Sequence, residues 1–185
     1  MIEQIKRDTE QRMKKSVEAI KSELAGIRSG KATAALLDNV RVEAYGQKTP
    51  LNQLASVSVP DPKSLVVQPW DKSIIGDVVK AIQTSELGFN PQVEGNIIRV
   101  PIPPLSEERR RELVKVCRKI AEEGKIAIRN IRRDANEAFK NAEKDKEISQ
   151  DQQHKGIDQI QKITDLYSDE IDVLVDAKEK EVMSV

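Results

Sequence analysis

The 185 residues carry 31 Lys and Arg against 31 Asp and Glu, with charged side chains at 34% and aromatic ones at only 3%. So much charge over so few large rings argues against a bulky single core, and no apolar run is long enough to span a bilayer, which leaves slender elements with thin aliphatic seams. The single cysteine, Cys117, excludes an internal disulfide, and with no secretory leader the chain is expected to be soluble and cytoplasmic.

The first element is a helix. Ile2, Ile5, Thr9, Met13, Val17, Ile20, Leu24 and Ile27 recur at steps of three and four, one stripe on a helical surface, and nothing breaks the pattern before Gly26 and Gly30. Residues 32–104 then change character. The runs Val40-Arg41-Val42, Ser56-Val57-Ser58-Val59, Ser64-Leu65-Val66-Val67 and Ile97-Ile98-Arg99-Val100 lie between Gly, Pro, Asn and Asp, and read as short strands. One helix is expected among them on Ile75, Val78, Val79 and Ile82, with Ser73 as its cap and Leu87-Gly88 as its stop. Pro69 and Trp70 are expected to pack at a strand end.

After Pro101, Pro103 and Pro104, Ser106 is placed to cap a long helix whose first turn holds Glu107 and Glu108, suited to the positive end of the helix dipole. Its apolar stripe is Leu113, Cys117, Ile120, Gly124, Ala127, Ile131, Ala135, Ala138 and Ala142. At 1.5 Å per residue such a helix is a rod of ~50–60 Å. Residues 144–147 form a turn, and Ser149 with Gln152 fits a capping box opening the last helix, striped by Ile157, Ile160, Thr164, Tyr167, Ile171, Leu174 and Val182.

None of the three long helices can bury its narrow face alone, so the first must pack against the last two. The expected fold class is α+β: a long antiparallel three-helix bundle from residues 1–30 and 105–185, with a small sandwich-like α/β domain inserted at residues 31–104. Two neighbouring covalent links allow bending while restricting twist, so a hinge is expected at 29–31 and 101–105.

The charge balance hides two opposed blocks. Residues 109–133 hold ten basic and three acidic side chains, net +7, whereas residues 134–185 hold seven and fourteen, net −7. On a helical wheel with Arg129 as zero, Arg111, Lys115, Arg118, Lys125, Arg132, Arg133 and Lys140 fall within about 60°, interrupted by Glu122 and opposite the apolar stripe. The i, i+3, i+4 spacing of Arg129, Arg132 and Arg133 crowds three guanidiniums, whose planar donors suit phosphate oxygens. The bland alternative is that the face is only solvated, or that these arginines pair with Asp134, Glu137 or the acidic last helix. With so few aromatics, binding to RNA is expected through backbone and shape rather than base stacking.

Enzyme chemistry finds no footing. The single histidine, His154, sits beside Gln153 and Lys155 on a polar face, Cys117 falls in an apolar stripe, and there is no Gly-rich phosphate loop, paired metal ligands or nucleophile elbow. No catalytic residue, cofactor or metal is expected. A non-enzymatic helical scaffold that binds proteins through its charged faces is the rival reading.

Four stretches, residues 27–32 (IRSGKA), 45–55 (YGQKTPLNQLA), 87–91 (LGFNP) and 128–136 (IRNIRRDAN), resemble ribosome recycling factor, and the likeness runs from the first helix to the last. The resemblance implies an L-shaped molecule similar in outline to transfer RNA. It implies a translation factor that works with elongation factor G and its GTP hydrolysis to disassemble the post-termination ribosome, a monomer with no membrane partner. It places contacts to large-subunit ribosomal RNA on Arg28, Arg110, Arg129, Arg132 and Arg133, and a hinge on Gly30, Lys31, Pro101, Pro103 and Pro104. Arg110 lies about 100° from the centre of the cation face on the wheel, so the resemblance alone nominates it.

Overall fold

The structure, a computed structural model, describes residues 1–184. In chain order its elements are α1 (Ile2–Ala25), β1 (Arg41–Ala44), β2 (Gln47–Pro50), β3 (Ala55–Asp61), β4 (Ser64–Pro69), α2 (Ile75–Thr84), β5 (Gln92–Glu94), β6 (Ile97–Pro101), α3 (Glu107–Lys144) and α4 (Gln150–Met183). They fall into two compact units, one made of Met1–Ser29 with the chain from Glu107 onward, the other of Gly30–Ser106. The fold class is α+β, with a long helical bundle and two small antiparallel sheets.

In the helical unit α1 packs against both α3 and α4. The stripe on α1 is buried as its spacing predicts, with Thr9, Met13, Val17, Ile20 and Leu24 inside and Ile2, Ile5 and Ile27 partly covered. On α3 the deep residues are Leu113, Cys117, Ala121, Gly124, Ile128, Ile131, Ala135, Phe139 and Ala142. Ala121, Ile128 and Phe139 therefore replace the expected Ile120, Ala127 and Ala138 at the centre of the seam. A helix touching two partners buries a face wider than one line, and a single chain of three-four steps tracks only one edge of it. The α4 stripe departs in the same way, with Gly156 and Val175 buried while Ile157 and Leu174 are only partly covered.

Two glycines set how closely the helices approach. A Cβ on Gly124 would lie 2.7 Å from Ile20 Cγ1, and one on Gly156 would lie 2.5 Å from Phe139 Cε1. Beyond α3 the chain reverses through Lys146 at φ 59°, with the Asp145 N–H donating to Asn141 O and the Glu147 N–H to Ala142 O, each at 2.9 Å. The expected capping box is formed: Ser149 Oγ accepts the Gln152 N–H at 3.2 Å, and Gln152 Oε1 accepts the Ser149 N–H at 2.8 Å.

The inserted unit holds a four-stranded sheet in the order β3-β4-β6-β5 and a two-stranded β1-β2 hairpin, all antiparallel. Tyr45 and Gly46 form the hairpin turn with φ 54° and 74°, the left-handed pair that a two-residue turn requires. Val42, Leu51, Leu65, Val67, Val78, Ile82, Ile98 and Val100 make the centre of its core. Strands β2 and β5 escape the sequence pattern because neither has a buried alternating face; β5 is exposed at all three residues.

A 3-10 turn at Lys72–Ile74 leads into α2, and Asp71 caps that turn, its carboxylate accepting the Ser73 N–H at 2.9 Å, while α2 itself starts after Ile74 with no side-chain cap from Ser73. It ends at Thr84, with Ser85 following, and so stops before Leu87-Gly88. Trp70 does not pack at a strand end. The strand alternation turns Pro69 inward and leaves Trp70 68% exposed.

Both connections are tied to one turn of this unit. The Ala32 N–H donates to Pro62 O and the Ile102 N–H to Lys63 O, each at 2.8 Å, so neighbouring residues between β3 and β4 clamp the chain where it enters and where it leaves. Outside the clamp, Gly30 adopts φ 81° with Leu105 Cγ placed 3.3 Å from where a Cβ would be, so only glycine serves there.

Candidate nucleic-acid interface

The 38 residues of α3 span about 57 Å at the helical rise, with its core face turned to α1 and α4 and its cation face turned outward. Arg129 and Arg133 are exposed and Arg132 is half-buried, all within little more than one turn. With Asn136, Glu137 and Lys140, Arg132 and Arg133 line a shallow depression on the helix surface.

The other two nominated arginines stand apart from this cluster. Arg110 is half-buried in the first turn of α3, 19 residues and so about 28 Å along the axis from Arg129. Arg28, also half-buried, follows the end of α1. The pair Arg12–Asp134 at 2.8 Å and the approach of Ile20 to Gly124 run α1 antiparallel to α3, which sets Arg28 toward the end where α3 begins. The five arginines thus form two groups rather than one patch.

The intramolecular partners divide the cation face. Arg118 Nε donates to Glu179 Oε1 at 2.9 Å, and Lys125 pairs with Asp172, both acids belonging to α4. The Arg118–Glu179 hydrogen bond, with the carboxylate charge behind it, raises the guanidinium pKa above its ordinary value. Arg111 is held by Glu107 at 2.5 Å and Arg129 by Glu122 at 2.7 Å. Asp134, one of the acids expected beside the arginine trio, is engaged instead by Arg12 of α1. Arg132 reaches only a neutral amide, donating to Gln161 Oε1 at 3.3 Å. Among the described residues Arg133 and Lys140 form no ion pair, and neither does Arg110. Pairing with acids therefore accounts for Arg118, Lys125 and Arg129, whereas Arg132, Arg133 and Lys140 form no ion pair among the described residues.

The sequence points to the acidic last helix as a source of partners but not to Glu179 and Asp172, nor to Arg118 and Lys125 as the cations they meet. The signal was available in their spacing, since Asp165, Asp172 and Glu179 recur every seven residues, as Arg118, Lys125 and Arg132 do on α3.

Two side chains weighed for chemistry are plainly placed. Cys117 is fully buried, and burial, followed by the charge of Glu179, pushes its thiol pKa up, which keeps the sulfur protonated and unreactive. His154 is exposed near the start of α4. Among the described residues no three His, Cys, Asp or Glu side chains gather as metal ligands, and no helix is long and apolar enough to cross a membrane.

The family model for ribosome recycling factor matches residues 20–183. The ribosome-recycling factors of Symbiobacterium thermophilum and Syntrophomonas wolfei are each 55% identical to the chain over the whole of both sequences. A solution structure of ribosome recycling factor superposes with a TM-score of 0.75 at 47% identity, covering all of this chain and 98% of that one. A second structure gives models for the T. thermophilus ribosome recycling factor and the E. coli elongation factor G bound to the E. coli post-termination complex; its match has a TM-score of 0.64 at 43% identity, over the full length of both chains. The chain belongs to the ribosome recycling factor family, a family of translation factors rather than enzymes.

Proposed function

We propose that the chain recycles ribosomes by seating the Arg129, Arg132, Arg133 and Lys140 end of α3 on the sugar-phosphate backbone of large-subunit ribosomal RNA. From there it acts with elongation factor G, whose GTP hydrolysis drives the post-termination complex apart. The observation that carries this reading is the run of cations on α3 that α4 leaves without an acidic partner. Guanidiniums held this close repel one another, and a polyanion that neutralises them gains what the bundle withholds from Arg132, Arg133 and Lys140, while Arg129 must first give up Glu122. Family membership and a relative solved with elongation factor G on the post-termination complex support the partners. Arg110 and Arg28 would form a separate, weaker contact at the other end of the bundle.

In the same reading the two connections between the units act as a hinge built from Gly30, Lys31, Pro103 and Pro104, whereas Pro101, the last residue of β6 and paired with Ser64, stays with the inserted unit. The clamp on Pro62 and Lys63 fixes the chain on one side of each connection, so rotation would concentrate in residues 29–31 and 103–106. Proline at Pro103 and Pro104 holds its own φ and narrows the preceding residue, which limits the paths such bending can take. Cross-linking the two units should leave ribosome binding intact while blocking splitting.

The test is sedimentation of purified post-termination ribosomes incubated with this protein, elongation factor G and GTP. Free subunits are expected, and their yield should fall sharply when either factor or GTP is left out. Intact ribosomes in the complete reaction would overturn the proposal. A scaffold that binds proteins through its charged faces would show a shallower salt slope, because screening weakens its contacts but no condensed counterions are released from a polyanion.

A further inference from the structure

The contacts between α3 and α4 form a ladder with a fixed register. Arg118 meets Glu179, Lys125 meets Asp172, and Arg132 meets Gln161, whose Nε2 in turn donates to Asp165 Oδ1 at 2.8 Å. Positions on α3 rise by seven at each rung while the acids on α4 fall by seven, the pattern of two antiparallel helices that keep one seam in register. The first two rungs are direct ion pairs. At the third an amide separates the charges, and one rung further α3 presents Phe139, which is fully buried. Along this seam the cation face thus passes from cations neutralised by α4 to Arg132, which α4 leaves without an acid, with Arg129 between them paired to Glu122 of its own helix.

Each ion pair has one well-exposed member, Arg118 and Asp172, with its partner half-buried, so each contributes modestly to stability. Their effect on binding is larger. A phosphate approaching Arg118 or Lys125 must displace a carboxylate already in place, whereas one approaching Arg132 or Arg133 displaces only loosely held counterions. Resting on the RNA-binding reading above, we propose that α4 is a built-in counter-ion strand that keeps phosphates off Arg118 and Lys125 and so leaves the main RNA footprint to Arg132, Arg133 and Lys140, with Arg129 joining once it gives up Glu122 of its own helix, Arg110 remaining a separate contact and Gln161 marking the boundary. The grip is thereby limited to a few phosphates, which suits a factor that has to leave the ribosome after each round.

Asp172→Asn with Glu179→Gln frees Lys125 and Arg118 without changing side-chain shape. Two added phosphate contacts should steepen the slope of log affinity against log salt by about 1.4–1.8. The gain over the parent protein is then about tenfold larger at 50 mM than at 200 mM salt. Gln161→Glu extends the ladder by one rung and should do the reverse, weakening binding and flattening the slope by ~0.7–0.9. Glu18→Gln with Glu23→Gln, exposed acids on α1 outside any ion pair among the described residues, makes the same change in net charge as the first variant and should leave the slope within error.

The assay is equilibrium binding of each full-length protein to purified bacterial large ribosomal subunits across 50–200 mM KCl, with thermal melts verifying the fold. If reversal of Arg129, Arg132 and Arg133 abolishes binding but the two α4 neutralisations leave the slope of the parent, the counter-ion strand is wrong and the RNA face stands. If the reversal itself leaves binding unchanged, both fall. A slope steepened equally by the α1 control would also overturn the proposal, since net charge rather than register would then be responsible.

Discussion

Replacing Gly156 by alanine should destabilise the helical bundle although alanine is the better helix former. The added methyl would lie 2.5, 2.7 and 2.9 Å from three carbons of the Phe139 ring, and that ring is fully buried against its neighbours. Overpacking a closed core costs about 1–3 kcal/mol, and three simultaneous contacts on a rigid ring argue for the upper part of that range. Helix propensity returns about 1 kcal/mol, leaving a net loss of about 1–2 kcal/mol. For a chain of this size that is a fall in Tm of ~3–6 °C. Scanning calorimetry and urea titration measure it, and Phe139→Leu in the same background makes room for the methyl, so the double mutant should be more stable than the sum of the two singles by ~1 kcal/mol. Gly76→Ala in α2 is the control: a Cβ there meets nothing within 4 Å, and a gain of a few tenths to ~1 kcal/mol is expected. A Gly156→Ala protein as stable as its parent, with additive double-mutant energies, would refute the close approach of α4 to α3.

Other expectations follow from single contacts. Ser149→Ala removes the hydroxyl of the capping box and should cost about 1 kcal/mol of bundle stability in urea titration, with Gln152→Ala costing less. Asp61 is held below the usual carboxylate range first by the Lys63 N–H and then by the Ser64 hydroxyl, and Asp71 first by the Tyr45 hydroxyl and then by the Ser73 N–H. A lowered folded pKa means stability that is present above about pH 4 and is lost as pH falls through the folded value, so Asp61→Asn with Asp71→Asn should destabilise the inserted unit at pH 7 and matter progressively less toward acid. Trp70, the single tryptophan, belongs to that unit and reports the transition by fluorescence. Cys117 should resist thiol reagents in the native protein and react readily in denaturant, because it is buried and its thiol pKa is raised; fast native labelling would contradict the packing of α3.

The long helices were legible because their burial follows a period that sequence displays directly, and the cap at Ser149 because its two hydrogen bonds are local. Ala121, Ile128 and Phe139 fall outside the expected stripe, since the width of a buried face depends on how many partners a helix has. Trp70 was misjudged for a related reason: a large aromatic invites burial, but strand alternation decides which way it points. β2 and β5 carry no apolar alternation and exist through backbone pairing with β1 and β6. For the cation face, the wheel identified which residues share it but not which are free. That depends on a partner helix some fifty residues away, and the matching seven-residue spacing on α4 becomes meaningful only once the register is known.

On our proposal the Arg129–Lys140 end of α3 grips an RNA backbone. Its most direct test is the affinity of Arg129→Glu, Arg132→Glu, Arg133→Glu protein for purified large ribosomal subunits between 50 and 200 mM salt, with circular dichroism to verify folding. Loss of binding at every salt concentration, from a parent whose log affinity falls linearly with log salt, is the predicted result. A folded variant that binds as tightly as the parent, with the same salt slope, would contradict it.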